Sequence, residues 1–370
     1  MQNDRKAIAV YIPKWLYKND VGITIFVNGL FETIKNHPRY RLFILNPFDC
    51  IFKNKKQAQD FVNKNNIVLV IYHGSRDLPM NRKIEKGLDF LEECVTFLNK
   101  RDVHIADDKI KTKKLLESYN IPTLSHKIIS SKKEFLESVS LDELYVAKPH
   151  NRESGFGVKL IKKTESGIKE YLNGKWKNLL VLDTKKGIKL LSFPSLKFIF
   201  ILSVFIVFLF SFLSIYFKNS NYLIFVVLIL IINSYLIPKI QHNFTYNPLM
   251  LEPFFGDNLD EFYCLRCTVI GDKVVESAKK SNLKNVTPNI SHGGKASKIE
   301  ITKEQENFAI LANKAIGAEY SGIDFLVKDN KTVVCEVNVG PIGLYCEQTE
   351  IDVGKILAEH AIKKCEEIYK

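Results

Sequence analysis

Twenty consecutive residues without a charge, Phe198 to Phe217 (FIFILSVFIVFLFSFLSIYF), constrain this 370-residue chain more than any other feature. As a helix the stretch is about 30 Å long, the thickness of a bilayer's hydrocarbon core. After Lys218-Asn219-Ser220-Asn221 comes a second apolar run, Tyr222 to Ile237 (YLIFVVLILIINSYLI). At about 24 Å it spans only if Asn233, Ser234 and the turn residues lie at the interfaces. Apolar residues cover every face of both runs, without the 3.6 or 2.0 period of a half-buried helix or strand. A soluble hairpin of this kind needs a larger core than the polar flanks can supply. The expectation is an inserted two-helix transmembrane hairpin over 198–237. Its flanks carry Lys185, Lys186, Lys189, Lys197 and Lys239, and its turn only Lys218. The positive-inside rule then puts both termini and the soluble parts in the cytoplasm, at a membrane.

The rest of the chain reads as folded and basic. Apolar residues at 46% and charged residues at 25% exclude a disordered or collagen-like chain. A net charge of +12 favours anionic partners: nucleotide phosphates, nucleic acid or an acidic membrane surface. The lysines are spread rather than clustered with aromatics, which argues against nucleic acid. Seven scattered cysteines point to reduced thiols in the cytosol. Cys264 and Cys267 form a C-x-x-C, without the second pair or nearby histidine that a zinc site needs. The opening MQNDRKAIAVYIP lacks the apolar run of a signal peptide.

Strand and helix signals alternate in the first third. Ala7 to Ile12, Tyr40 to Leu45 and Ile67 to Tyr72 are apolar runs of strand length. Helix-like segments lie around Ile23 to Ile34, Ala58 to Asn63 and Leu88 to Asn99, and a short strand is expected at Val103 to Ile105. This alternation predicts an open α/β domain with a parallel sheet over 1–105. No glycine-rich dinucleotide fingerprint follows any of these strands. Asp107 or Asp108 can cap the next helix, which ends at Tyr119-Asn120 before Pro122, a natural domain boundary. Farther on, Thr164 to Asn173 reads as a helix and Leu179 to Leu182 as a strand. Thr302 to Ile316 opens with a capping box, Thr302-Lys-Glu-Gln305. Glu350 to Tyr369 carries an apolar helical stripe, in which His360 reads as structural.

Three segments carry chemistry. In Tyr145-Val-Ala-Lys148-Pro-His-Asn-Arg-Glu-Ser-Gly155-Phe-Gly157-Val158 a strand delivers a lysine to a loop with two glycines. Such a loop can aim N–H groups at a phosphate while the lysine adds a point charge, although a plain hairpin loop carries the same glycines. Gly322-Ile-Asp324-Phe-Leu-Val and Val333-Val-Cys-Glu336-Val-Asn338-Val read as a hairpin turning at Asp329-Asn330. Period two puts Glu336 and Asn338 on one face, and pairing can bring Asp324 beside them. Two carboxylates and an amide on one face suit Mg²⁺, which also takes oxygens from a nucleotide. Two solvent-facing strand acids are the alternative, made less attractive by apolar Ile323, Phe325, Val334 and Val337. Finally, Tyr263 to Val275 reads as a hairpin turning at Gly271-Asp272, followed by Lys279-Lys280 and Asn289-Ile-Ser-His-Gly293-Gly294. Arg266 and Asn289 could meet transferred phosphate and substrate there.

In this order the segments resemble the ATP-grasp superfamily, most closely its glutamate-ligase branch typified by the RimK ligase. The carrying residues are Asp108-Lys109 with LLESYNIPT, the Lys148-Pro strand with its glycine loop, Leu251-Glu252-Pro-Phe-Phe, LRCTVIGDKVV, NISHGGKAS, and GIDFLV followed by CEVNVGP. They cover roughly residues 100–165 and 245–365. The resemblance implies an α+β ATP-grasp fold over 106–370, with a lid subdomain at about 124–250, interrupted by the hairpin, and a metal-binding subdomain at about 251–370. It implies that Lys109 and Lys148 contact ATP, that the Gly155/Gly157 loop covers its phosphates, that Glu252 lines the adenine and that Lys280 binds phosphate. Asp324, Glu336 and Asn338 then hold Mg²⁺, or Mn²⁺, while Arg266 and Asn289 stabilise an acyl phosphate and its tetrahedral successor. The implied activity is a carboxylate–amine ligase that joins carboxylate and amine substrates, lipid-linked or protein-borne, beside membrane lipid. A small-molecule phosphotransferase and a non-enzymatic nucleotide-binding membrane scaffold are the alternatives. Two departures bear on nucleotide contacts: Cys264 stands two before the arginine where relatives usually carry an acid, and Leu251 replaces a common glutamine.

Overall fold

The computed structural model describes residues 5–12, 21–72, 82–151, 157–172, 174–192, 245–259, 262–281, 294–340 and 349–369, with Phe208 and Phe212. They form two compact units, Met1–Thr123 with Gly256–Ser281 and Pro288–Lys370, and Leu124–Phe255 with Asn282–Thr287. Gly155, Asn289 and nearly all of the 198–237 hairpin lie outside the described residues. Among the described residues no helix is long and apolar enough to cross a membrane.

The first unit opens with β1 (Lys6–Tyr11), α1 (Val21–Ile34), β2 (Tyr40–Leu45), α2 (Lys55–Asn65), β3 (Ile67–Tyr72), α3 (Arg82–Glu92) and β4 (Thr96–Phe97). The strands form a parallel sheet in the order β2-β1-β3-β4, as the alternation predicts. All six residues of β3 are buried, as a parallel strand covered on both faces requires. Two expectations fail here. The helix expected over Leu88 to Asn99 runs instead from Arg82 to Glu92, because Thr96 and Phe97 pair with Leu69 and Val70. Asn99 is buried, its side chain accepting from the Glu319 and Tyr320 amides and donating to the Tyr320 carbonyl. The strand expected at Val103 to Ile105 is a turn of 3₁₀ helix, Arg101–Asp107, which drops Val103 into the core. It leads into α4 (Lys109–Ser118), capped by Asp108 through the Ile110 and Lys111 amides.

The second unit holds β5 (Lys127–Ile129), α5 (Lys132–Ser138), β6 (Leu144–Pro149), β7 (Lys159–Thr164), β8 (Gly167–Leu172), β9 (Lys175–Thr184), β10 (Gly187–Ser192), β11 (Thr245–Tyr246) and β12 (Leu249–Pro253). They make one eight-stranded sheet, ordered β11-β10-β9-β8-β7-β6-β12-β5. The expected helix over Thr164 to Asn173 is therefore a correction: the segment turns at Glu165-Ser166 and continues as β8 against β7. Gly167, at φ +119°, takes a backbone conformation that side chains rarely adopt.

The chain then returns to the first unit with β13 (Tyr263–Ile270), β14 (Lys273–Ser281), β15 (Lys295–Lys298), α6 (Lys303–Ala315), β16 (Tyr320–Lys328), β17 (Lys331–Val339) and α7 (Val353–Ile368). The sheet is antiparallel, ordered β15-β14-β13-β16-β17. Its β16–β17 turn is Asp329-Asn330, both at positive φ, the geometry of a tight hairpin. The Thr302–Gln305 capping box starts α6. Leu265, Cys267, Val269, Ile323, Phe325, Val334 and Val337 pack with Ala309 and Ala312 of α6 and with Ile316, its C-cap. Since alternate residues face opposite ways, that packing turns Arg266, Thr268, Asp324, Glu336 and Asn338 to the other face.

Helix α7 packs its Val353, Leu357 and Ala361 with Ile8 of β1, Phe26 of α1, Ile270 and Tyr320. Its polar side is clamped by Glu319, which accepts from His360 Nε2 at 3.0 Å and Lys364 Nζ at 2.8 Å. The His360 hydrogen bond, aided by Lys364, pulls the Glu319 carboxyl down to about 2 against a desolvation that raises it. A depressed carboxylate stabilises the fold above its ordinary value near 4.5 and loses that contribution as pH falls toward about 2. Glu319→Gln is therefore expected to unfold at lower urea than the wild type at neutral pH. The gap between the two urea midpoints should close as pH drops from about 4.5 to about 2. A gap independent of pH would show that the clamp is not electrostatic.

Candidate functional site

On the polar face of the antiparallel sheet, strand register does what the sequence spacing anticipates. Asp324 of β16 lies opposite Arg266 of β13 on one side and Glu336 of β17 on the other, and Gly322 lies opposite Asn338. A bulge between Asp324 and Phe325 takes up the extra residue Cys335 and keeps Glu336 in line. Arg266 grips Asp324 with both carboxylate oxygens, Nε to Oδ1 at 2.8 Å and a terminal nitrogen to Oδ2 at 2.9 Å. Lys280 Nζ donates to the same Oδ1 at 2.7 Å, and Asn338 Nδ2 reaches Oδ2 at 3.3 Å. The guanidinium lies over Gly322, where any side chain would collide with it.

Lys109, the first residue of α4, completes the cluster by pairing with Glu336 at 2.8 Å. Both lysines and Asp324 are buried. Burial alone would raise the Asp324 carboxyl, but Arg266 and Lys280 outweigh it and hold the group below the usual carboxylate range. Asp324, Glu336, the Asn338 amide and three cations thus gather in one cluster.

The donor set fits a hard cation. Asp324, Glu336 and the Asn338 amide offer oxygen only, which suits Mg²⁺ or Mn²⁺ rather than a thiophilic metal. Among the described residues no three His, Cys, Asp or Glu side chains gather as a metal cluster. Two acids and an amide therefore leave coordination positions for phosphate oxygens and water, as Mg²⁺ sites commonly do. The C-x-x-C is unsuited to metal: three-residue spacing on a strand sends Cys267 into the core and Cys264 to the opposite face. Burial pushes both thiols up to about 12, so neither is a thiolate at neutral pH.

Sequence reasoning missed Glu276. It sits opposite Thr268 on β14, buried, and accepts from Thr268 Oγ1 at 2.9 Å and Thr349 Oγ1 at 2.6 Å. Burial raises its carboxyl, with the two threonine hydrogen bonds acting the other way. Period two from Lys280 through Ala278 already placed it on the polar face, so the signal was present.

In the other unit, Lys148 of β6 and Glu252 of β12 form a buried ion pair at 2.7 Å. They stand near each other because Lys148 pairs with Met250, two residues before Glu252. Gly157, at φ +74°, ends the glycine loop.

Comparison with known proteins agrees with this geometry. Residues 249–361 match the family model of the RimK-like ATP-grasp domain. Solved structures resemble nearly the whole chain. The ATP-grasp ligase PsnB bound to a minimal precursor aligns with a TM-score of 0.55 at 13% identity, covering 98% of this chain and 100% of that one. D-alanine–D-alanine ligase from Bacillus anthracis aligns at 0.53 and 14%, covering 98% of each. The fold is therefore ATP-grasp-like. Curated relatives include tetrahydromethanopterin:alpha-L-glutamate ligase of Methanocaldococcus jannaschii, 32% identical over 120 residues, 32% of this chain and 41% of the relative. A probable alpha-L-glutamate ligase of Marinobacter nauticus is 39% identical over 107 residues, 29% of this chain and 35% of the relative. The chain thus spans about two fifths or less of the length of these relatives. Fold, matched domain and relatives together place residues 249–361 beside the RimK-like ATP-grasp domain, in a chain whose fold is ATP-grasp-like.

Proposed function

We propose that the chain is a carboxylate–amine ligase of the glutamate-ligase type, working through an acyl phosphate at the cytoplasmic face of a membrane. The observation that carries this reading is the cluster of Arg266 and Lys280, within the matched domain, and Lys109, outside it, around Asp324, Glu336 and Asn338. It offers charge and position without a covalent nucleophile, as phosphoryl transfer from ATP to a carboxylate needs.

A substrate carboxylate oxygen attacks the γ-phosphorus and ADP leaves. An amine nitrogen then attacks the acyl carbon, loses a proton, and phosphate departs as the amide forms. Mg²⁺, when bound, supplies the charge that neutralises the triphosphate. Lys109 and Lys280 are suited to phosphate oxygens, and Arg266 to the negative charge that collects during transfer. By the same resemblance Lys148 and the Gly155/Gly157 loop contact the nucleotide, with Glu252 on the adenine strand. Asn289 assists at the acyl carbon. This assignment of roles rests on the resemblance of the motifs.

The membrane part rests on the 198–237 sequence. A ligase tethered in this way would meet a lipid-linked or protein-borne substrate at the membrane surface.

The test uses the full chain purified in detergent, with ATP, Mg²⁺ and membrane extracts. ADP release that needs both a carboxylate and an amine, with an amino-acid-sized mass gain on a membrane species, is the expected result. A stable phosphorylated product formed without amine would replace the reading by phosphotransfer. Tight ATP binding with no turnover on any pair would leave only a scaffold.

A further inference from the structure

The sheet of the second unit has two unlike faces over β7–β10. Ile161, Ile168, Leu179, Val181, Ile188 and Leu190 pack together with Phe135 of α5. Alternation then turns their neighbours along each strand to the opposite face. Register sets these in rows: Lys162 lies directly across from Lys169, Tyr171 from Trp176, and Leu182 from Lys189. Leu182 is exposed and the other five are partly so.

Charge is divided between the faces as well. Of the acids in residues 159–192, Glu170 and Asp183 share the packed face and Glu165 sits in the β7–β8 turn. There Glu170 pairs with Lys159 at 2.7 Å, and Asp183 accepts from the Lys132 amide at 2.6 Å. The open face is left with Lys162, Lys169 and Lys189 and no carboxylate. Lysines directly opposite each other repel, a cost that an anion lying over both removes.

The rest of that face is aromatic and aliphatic. Lys162 Nζ stands 4.6 Å over the Trp176 ring, whose centroid is 5.3 Å from that of Tyr171. Tryptophan, tyrosine and lysine side by side match the headgroup layer of a bilayer. Rings with an apolar body and a polar tip sit at that depth, while ammonium groups meet acidic lipid. An acidic peptide would answer the lysines and leave Leu182 without a reason. The place in the chain agrees: β10 ends at Ser192, the uncharged run Phe198 to Phe217 follows, and β11, which pairs with β10, comes after the insert.

We infer that this face of β7–β10 lies on the acidic surface of a bilayer, with Lys162, Lys169 and Lys189 on anionic headgroups and Tyr171, Trp176 and Leu182 among them. The inference rests on the proposed membrane location, to which it adds a preference for anionic lipid.

The test follows Trp176 in the full chain, with Trp15, the other of its two tryptophans, changed to Phe. Brominated phosphatidylcholine vesicles that also hold phosphatidylserine should quench most of the Trp176 emission, and vesicles without phosphatidylserine little of it. About 1 M salt, where the screening length is about 3 Å, should abolish the difference. Lys162→Gln, Lys169→Gln and Lys189→Gln together should reduce quenching to the level of neutral vesicles. That variant should melt no lower than its parent, since two of its lysines oppose each other. Lys127→Gln, Lys132→Gln and Lys133→Gln, an equal loss of charge at exposed positions on β5 and α5, should leave quenching unchanged. Equal quenching by neutral and acidic vesicles, or an equal loss in the second triple variant, would overturn the inference. So would a Trp176 response to polyglutamate but not to acidic vesicles, which would give the face to a peptide. Were the chain to join acidic vesicles and not neutral ones, the face would stand and the spanning insert would fall. Association with neither would remove both.

Discussion

Asp324→Asn is expected to abolish ligation, by about 10³-fold or more, and to lower the melting temperature by about 6–20 °C. The first effect follows from the proposed metal role and from losing the charge that orients Arg266, on the scale of removing a principal electrostatic contact in a transition state. The second follows from burial. Asp324 is the shared counter-charge of Arg266 and Lys280, and all three are nearly inaccessible. Removing one partner of a buried ion pair leaves a stranded charge and costs about 3–5 kcal/mol. For a unit of this size each kcal/mol is worth about 2–4 °C. The two effects can be separated. Asp324→Asn with Lys280→Met removes the stranded ammonium as well, so it should regain stability without regaining activity. Acid should narrow the gap between wild type and Asp324→Asn. A carboxylate held below its ordinary value stabilises above that value and loses its contribution as pH falls through the depressed one. Full activity in the single variant would remove Asp324 from the site.

How much of this was readable in the chain depends on the range of the forces involved. Asp108 and Thr302 announced their helices because a cap is a contact over two or three residues. The Asp324–Glu336 register was legible because a two-residue turn at Asp329-Asn330 fixes a hairpin locally. Thr164 to Asn173 misled because Ile168 and Tyr171 are compatible with a helical stripe. What makes them a strand is pairing on both sides, with β7 and with β9. Val103 to Ile105 and the end of α3 failed similarly, decided by Val103 entering a core shared with α6 and by Thr96 and Phe97 pairing with β3. Within the site, the grouping of Asp324, Glu336 and Asn338 followed from strand spacing, whereas the Lys109–Glu336 pair spans more than two hundred residues and has no local signal. The 198–237 insert stays a reading of hydropathy alone, since nearly all of it lies outside the described residues and no described helix is long and apolar enough to cross a membrane.

The long-range pairs also predict an order of binding. Before nucleotide arrives, Lys109, Arg266 and Lys280 occupy oxygens of Asp324 and Glu336. If these acids hold the metal as proposed, a bare Mg²⁺ must displace ammonium and guanidinium groups from those oxygens. At an effective dielectric of 20, a unit charge 4 Å from another already contributes about 4 kcal/mol. Phosphate oxygens would give the cations another partner, and Glu336 and Asp324 would then be the residues to hold Mg²⁺. Mg²⁺ alone should therefore leave the melting temperature of the wild type unmoved. ADP with Mg²⁺, at about 100 times its Kd, should add about 2.7 kcal/mol of stability. Lys109→Met separates cause from coincidence by shifting the two ligands in opposite directions. Free of its ammonium partner, Glu336 should bind Mn²⁺ alone at least about tenfold more tightly in a paramagnetic titration, a change of about 1.4 kcal/mol. ADP, deprived of a phosphate contact, should bind about tenfold more weakly. Parallel changes in both affinities, or metal binding to the wild type that ignores nucleotide, would mean that the cations do not guard the metal ligands.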